Sequence, residues 1–227
     1  MFERYAIFYT APAGAFADAG SAWLGWDSAA GQAVPHPDVG LELSQVTATP
    51  RRYGFHATLK APFRPAVGLD EAALIRAVDA FAQATAPVVL DGLAVQVERG
   101  FVALRPVGDE ATLRNFAGAC VRNLDHLRAP LTEVDIARRR KAPLTARQDA
   151  QMLEWGYPYI FADFHFHMTL SGPLGAAQAG PVIAAAQDFF APVLTQPFTV
   201  DAVTLLGERN GRFHQLHRAT LSGSNSA

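Results

Sequence analysis

One short word occurs twice in this chain and constrains its fold more than any other feature. Residues 54–60 read Gly-Phe-His-Ala-Thr-Leu-Lys and residues 165–171 read His-Phe-His-Met-Thr-Leu-Ser, so His56-x-Thr58-Leu59 returns as His167-x-Thr169-Leu170. Successive side chains of an extended strand alternate between faces. Each His therefore shares a face with the Thr two residues on, while Ala57 and Leu59, or Met168 and Leu170, point the other way. Each copy can bury one face and present an imidazole and a hydroxyl on the other.

A lone His-x-Thr is a weak signal, because a strand with a satisfied polar His is common. The surroundings strengthen it. After His56 come Ala61-Pro62-Phe63, a helical stretch from about Asp70 to Ala84, and an alternating run that reaches Glu98-Arg99-Gly100-Phe101 and returns through Ala103 and Arg105. After His167 come Gly172-Pro173-Leu174, a helical stretch from about Ala176 to Phe190, and a run that reaches Glu208-Arg209-Asn210-Gly211 and returns through Phe213. The hairpin Glu follows its His at the same interval to within one residue. The unit of strand, helix and hairpin is thus repeated.

Two His-x-Thr-hydrophobic motifs, one per half of a chain of this size, resemble the 2H phosphoesterase superfamily, which includes 2′,5′ RNA ligase-like proteins and cyclic phosphodiesterases. The flanking words Arg52-Tyr53-Gly54-Phe55-His56-Ala57-Thr58-Leu59-Lys60-Ala61-Pro62-Phe63 and Trp155-Gly156-Tyr157-Pro158-Tyr159 look like one bacterial branch, DUF1045-like and encoded with phosphonate-utilisation genes. The resemblance covers roughly residues 50–220. It implies an α+β, bilobal, duplicated fold, with two antiparallel sheets around a central cleft and helices outside. It carries over His56, Thr58, His167 and Thr169 as site residues and places the two motif strands side by side.

With 227 residues the chain suits one large or two small domains. No low-complexity linker separates the halves, so we expect a single bilobal unit over 1–227, with repeat halves of about 1–130 and 131–227. Half the residues are hydrophobic and 18% are charged, a balance suited to a cored, soluble protein. The apolar runs fall far short of the ~20 residues that span a bilayer. No basic region followed by an apolar stretch and a cleavage site opens the sequence. The one cysteine, Cys120, excludes an internal disulfide framework and suits a reducing cytoplasm, as a packed thiol in a helix. A net charge of −2 offers no general basic field for DNA or long RNA. A small anionic substrate, or a short RNA held by a local basic cluster, remains compatible with it.

The chemistry follows from the residue types once the resemblance brings the two motifs together. Opening a cyclic phosphodiester needs a base for the attacking water and an acid for the departing alkoxide, on opposite sides of phosphorus. Two imidazoles with a reference pKa near 6.5 can divide those roles around neutrality. The threonines would hold the non-bridging oxygens. The scheme requires no metal and no cofactor. We expect His56 and His167 to be catalytic, with Thr58, Thr169, Lys60, Tyr53, Arg140 and Tyr159 binding substrate. Lys60 enters because Gly54, His56, Thr58 and Lys60 share a face in a regular strand, and His165 shares a face with His167 by the same rule. Tyr53, Tyr157 and Tyr159 could stack on a base or sugar. Arg140 belongs to the stretch Arg138–Lys141, which reads either as a solvated connector or as a loop folding over the phosphate. Arg51 and Arg52 read by default as surface cations, and His36 between two prolines as a surface residue.

Other classes fit less well. A metal site of His165, His167 and His56 is disfavoured, since no Asp or Glu lies at ligand spacing and a metal gives no reason for two matched threonines. His214 and His217 fall on opposite faces of a strand. RNA-end processing on 2′,3′-cyclic phosphates, 2′,5′ ligation, or a non-catalytic binder of nucleotides or RNA are the alternatives to cyclic phosphate opening on a nucleotide or ribose-type substrate in phosphonate catabolism.

Overall fold

The computed structural model describes residues 2–224. The chain opens with strand β1 (Arg4–Tyr9), helix α1 (Ala15–Leu24) and the one-turn helix α2 (Leu43–Val46). The first motif copy runs into β2 (Ala57–Phe63), followed by α3 (Glu71–Gln83), β3 (Val88–Leu90), β4 (Gly92–Glu98) and β5 (Phe101–Val107). Three helices follow: α4 (Ala111–Asn123), α5 (Glu133–Arg139) and α6 (Ala146–Trp155). The second motif copy runs into β6 (Met168–Thr169), then α7 (Ala176–Phe190), β7 (Phe198–Val200), β8 (Ala202–Arg209) and β9 (Arg212–Thr220). The order of strand, helix, short strand and hairpin therefore occurs twice.

Helix ends lie where side chains can satisfy the free backbone groups of a first turn. Asp70 caps α3 by accepting from the Ala73 amide at 2.7 Å. Thr145 and Gln148 form a capping box on α6, and Gly156 ends that helix in the left-handed region. The basic stretch around Arg138 departs from the expected loop. It is the last turn of α5, nucleated by a capping box between Thr132 and Asp135 and ending in arginines that suit the negative end of the helix dipole.

Seven strands form a single antiparallel sheet in the order β4-β5-β6-β2-β1-β8-β9, and β3 pairs with β7 in a separate two-stranded ribbon. This corrects the expectation of two sheets facing a cleft. The gap between the lobes is closed because β2 and β6 pair directly, Ala57 opposite Met168. These are the residues that follow His56 and His167, so corresponding positions of the two copies sit opposite each other. The strands also interleave: the first hairpin, β4–β5, flanks β6 of the second copy, while β8 of the second hairpin pairs with β1.

Alternation along β1 shows how the sheet divides space. Tyr5, Ile7 and Tyr9 join the large core with Leu59, Leu74, Leu104, Met168 and Leu205, beneath α3, α4 and α7. Ala6 and Phe8 point to the other face, where they pack with Leu206, Phe213 and Tyr53. The His-x-Thr residues lie on this second face of the central strands, opposite the core beneath α3, α4 and α7. Cys120 of α4 is fully buried in the core, and burial pushes its thiol up to about 12. Among the described residues, no helix is long and apolar enough to cross a membrane.

Candidate active site

The two histidines are held by the same local bond. Nδ1 of His56 lies 2.9 Å from the Gly54 carbonyl oxygen, and Nδ1 of His167 lies 2.8 Å from that of His165. A carbonyl only accepts, so Nδ1 carries the proton and the neutral ring keeps an unprotonated Nε2. At His56 that nitrogen is 3.2 Å from the Thr58 hydroxyl, which donates to it. Gly54 makes the first of these contacts possible, since its φ of 77° lies where only glycine is at ease and a Cβ would stand 2.8 Å from Ser28.

The environments differ. His56 is 8% exposed, under the Phe8 ring at 4.0 Å and beside Tyr53, which stacks in turn on Phe213. Burial lowers its pKa to about 4, against the pull of the Gly54 carbonyl and with a further push from His167. His167 is half-buried beside Phe101. Its pKa is also lowered, first by burial, while the His165 carbonyl and the Glu98 carboxylate oppose the shift and Arg105 adds to it.

His56, Thr58, His167 and Thr169 share one cleft of about 500 Å³ with Tyr53 and Tyr157. Four arginines complete its lining: Arg4, Arg52, Arg138 and Arg139. The buried Glu208 holds Arg4 at 2.6 Å and stands 3.8 Å from Arg52. Asp135 holds Arg138 at 3.0 Å, and the Arg139 guanidinium lies 5.2 Å from the Tyr157 ring centre.

Two expected contacts are placed elsewhere. Lys60 is buried on the helix side, 2.7 Å from Asp125. The cause is a bulge: Phe8 pairs with Thr58 but Ile7 with Lys60, so Leu59 and Lys60 fall on the same face. Arg140 makes two 2.7 Å bonds to Asp149 outside the cleft, because one more residue of helix turns it away from the face that carries Arg138 and Arg139. Tyr159 lines a side cavity of about 290 Å³ that shares Thr58, Tyr157 and His167 with the cleft. Phe101 and Phe164 wall it, and the Arg99 guanidinium stands 5.7 Å from the Tyr159 ring centre.

His165 opens into this side cavity rather than into the cleft. Among the described residues no three His, Cys, Asp or Glu side chains are grouped to hold a metal. Arg51 and His36 are internal braces: Arg51 donates to the Leu24 carbonyl at 2.8 Å, and His36 contacts the Trp23 carbonyl at 3.0 Å and Arg51 at 3.1 Å. His217 lies 2.6 Å from Asp79, while His214 packs against Trp26.

Sequence reasoning missed Arg4 and gave Glu208 no role. A single Arg heading an apolar strand carries no signal of its own, but the recurrent Glu-Arg pair at each hairpin did. Both hairpins turn through two left-handed residues, Arg99-Gly100 and Asn210-Gly211. Glu98 reaches Arg105 at 3.3 Å near His167, and Glu208 reaches Arg4 across the sheet.

The chain belongs to the family described as protein of unknown function (DUF1045), which matches residues 58–214. It is 40% identical over 231 residues to "Ribose 1,5-bisphosphate phosphokinase PhnN" of Janthinobacterium sp. (strain Marseille), covering 97% of this chain and 51% of that protein. A protein of the same name from Laribacter hongkongensis (strain HLHK9) is 36% identical over 197 residues, covering 86% of this chain and 46% of its own. The chain thus spans about half the length of the curated relatives it matches. Among solved structures, the crystal structure of TT0787 from Thermus thermophilus aligns over 98% of this chain and 100% of its own, with a TM-score of 0.48 and 14% identity.

Proposed function

We propose that the protein is a metal-independent phosphodiesterase that opens a cyclic phosphate on a ribose-type or nucleotide substrate. The observation that carries this reading is the pair of histidines in one cleft, each with Nδ1 tied to a backbone carbonyl and each sharing the cleft with the Thr two residues on. In this scheme water attacks phosphorus opposite the bridging oxygen. His56, kept neutral by burial, accepts the water proton at Nε2. The bond from phosphorus to the ring oxygen breaks, and His167 protonates the departing alkoxide, giving a phosphomonoester and a free hydroxyl. Burial lowers the His167 pKa, while Glu98 and the anionic substrate itself favour the protonated ring there. The Thr58 hydroxyl turns from His56 to a non-bridging oxygen on binding, and Thr169 takes another.

The printed name of the relatives supports a ribose phosphate as the substrate class. The kinase activity in that name belongs to proteins of which this chain covers about half, and it is not carried over to these residues. The resemblance supports a place in phosphonate catabolism, and a lone, buried cysteine suits the cytoplasm. A second reading, RNA-end processing or nucleoside 2′,3′-cyclic phosphate opening, is favoured by the side cavity, whose Tyr159, Phe101 and Arg99 suit a planar base.

The test is steady-state hydrolysis, with EDTA present, of ribose 1,2-cyclic phosphate, 2′,3′-cyclic nucleotides and a linear diester. We expect turnover of a cyclic substrate that falls by at least about 10² in His56→Ala and again in His167→Ala. Binding of a cyclic phosphate without turnover would make the protein a binder, and activity only on adding a divalent metal would overturn the mechanism.

A further inference from the structure

We propose that the arginines of the cleft form a subsite for a second phosphoryl group on the same substrate molecule. This rests on the reading of the histidines given above and adds to it. The scissile group is a phosphodiester carrying one negative charge, and two threonines already suffice to hold its free oxygens. The cleft nevertheless carries four guanidinium groups, Arg4, Arg52, Arg138 and Arg139. Glu208 and Asp135 engage three of them from outside that lining, so the pair of carboxylates leaves an excess of about two positive charges facing the cavity. A phosphomonoester, with a charge of about −1.5 to −2 near neutrality, matches that excess.

Arg139 supplies an independent observation. Its Nε is buried and has no hydrogen-bond partner among the described residues, although buried donors are nearly always satisfied. Arg4, Arg138 and Arg139 line the same cleft, and the Arg139 pKa is lowered first by burial and then by Arg138 and Arg4, against the opposing pull of Tyr157 and Asp135. The carboxylates behind Arg4 and Arg138 fix those forks in advance, and Tyr157 backs the plane of Arg139. Forks held in this way bind a phosphate with little left to order. The arginines also lie outside the repeated unit, on β1, before β2 and on α5. They therefore break the likeness of the two copies and give the substrate one direction in the cleft. Opening the ring of such a substrate yields a sugar with two phosphomonoesters.

The experiment compares ribose 1,2-cyclic phosphate with its 5-phosphate in wild type, Arg139→Gln and Arg138→Gln, and separately titrates unreactive ribose 5-phosphate against ribose. We expect the 5-phosphate to raise kcat/KM by about 10- to 100-fold in wild type. The preference should collapse toward unity in Arg139→Gln and shrink in the exposed Arg138→Gln, and ribose 5-phosphate should bind at least about tenfold more weakly to Arg139→Gln. Equal use of both cyclic esters, or binding of ribose 5-phosphate that neither variant changes, overturns the subsite while leaving the histidine reading intact. Arg139-dependent binding of ribose 5-phosphate without opening of either ester supports the subsite and sinks the catalytic reading.

Discussion

His56 and His167 carry the same bond to a backbone oxygen, yet one ring lies under Phe8 and the other lies near Glu98. That difference fixes the expected pH dependence. The base must be neutral, so kcat/KM falls on the acid side as pH drops through the His56 value of about 4. The acid must be protonated, and the lowered pKa of His167 makes kcat/KM fall on the alkaline side before the ordinary histidine value of 6.5. Because the rings feel each other, both limbs belong to the pair. A pH–rate profile should peak on the acid side of 6.5; a plateau centred above 7 would remove at least one of the two rings from the chemistry. The His and Thr positions were readable from sequence, since alternation runs unbroken from Phe164 to Leu170, buried and more open residues in turn. Lys60 was misread because the bulge that turns it around leaves no mark in the sequence.

At the scale of elements, α5 delivers two of the four cleft arginines, Arg138 and Arg139, and its first turn is fastened by one short box. Thr132 accepts from the Asp135 amide at 3.2 Å, and its hydroxyl donates to the Asp135 carboxylate at 2.8 Å. The same carboxylate braces Arg138. Thr132→Ala should lower stability by about 1 kcal/mol in urea denaturation. It should also raise KM for a cyclic substrate more than it lowers kcat, because the arginines bind and move no proton; an unchanged KM would detach α5 from the site. Asp70 and Thr145 were visible as caps because an apolar stripe or a Gly stop follows each. The box at Thr132 is equally present in the sequence, but the run of like charge at Arg138–Lys141 reads as a loop, either a solvated connector or one folding over the phosphate, and not as the end of a helix. Choosing among its arginines needed the phase of the helix, which the charge run conceals.

Across the whole molecule, the sheet joins residues far apart in sequence: Tyr5 pairs with Gly207, and β6 lies between β5 and β2. Neither half can complete its share of the sheet alone. Residues 1–130 and 131–227, expressed separately, should show no cooperative unfolding by circular dichroism, and mixing them should restore a β signal; an independently folded half would contradict the interleaving. The repeat was plain in the sequence, but which hairpin pairs with which motif strand was not, because swapped and unswapped arrangements share one order of elements. Corresponding residues meet at the centre, where Ala57 faces Met168. A strand that pairs with its own counterpart needs no second pattern, so two identical chains of half the length could close the same centre by association, each lending one imidazole. In such a pair the two rings would be equivalent by symmetry. A single chain lifts that symmetry and gives each ring surroundings of its own, His56 under Phe8 and His167 near Glu98.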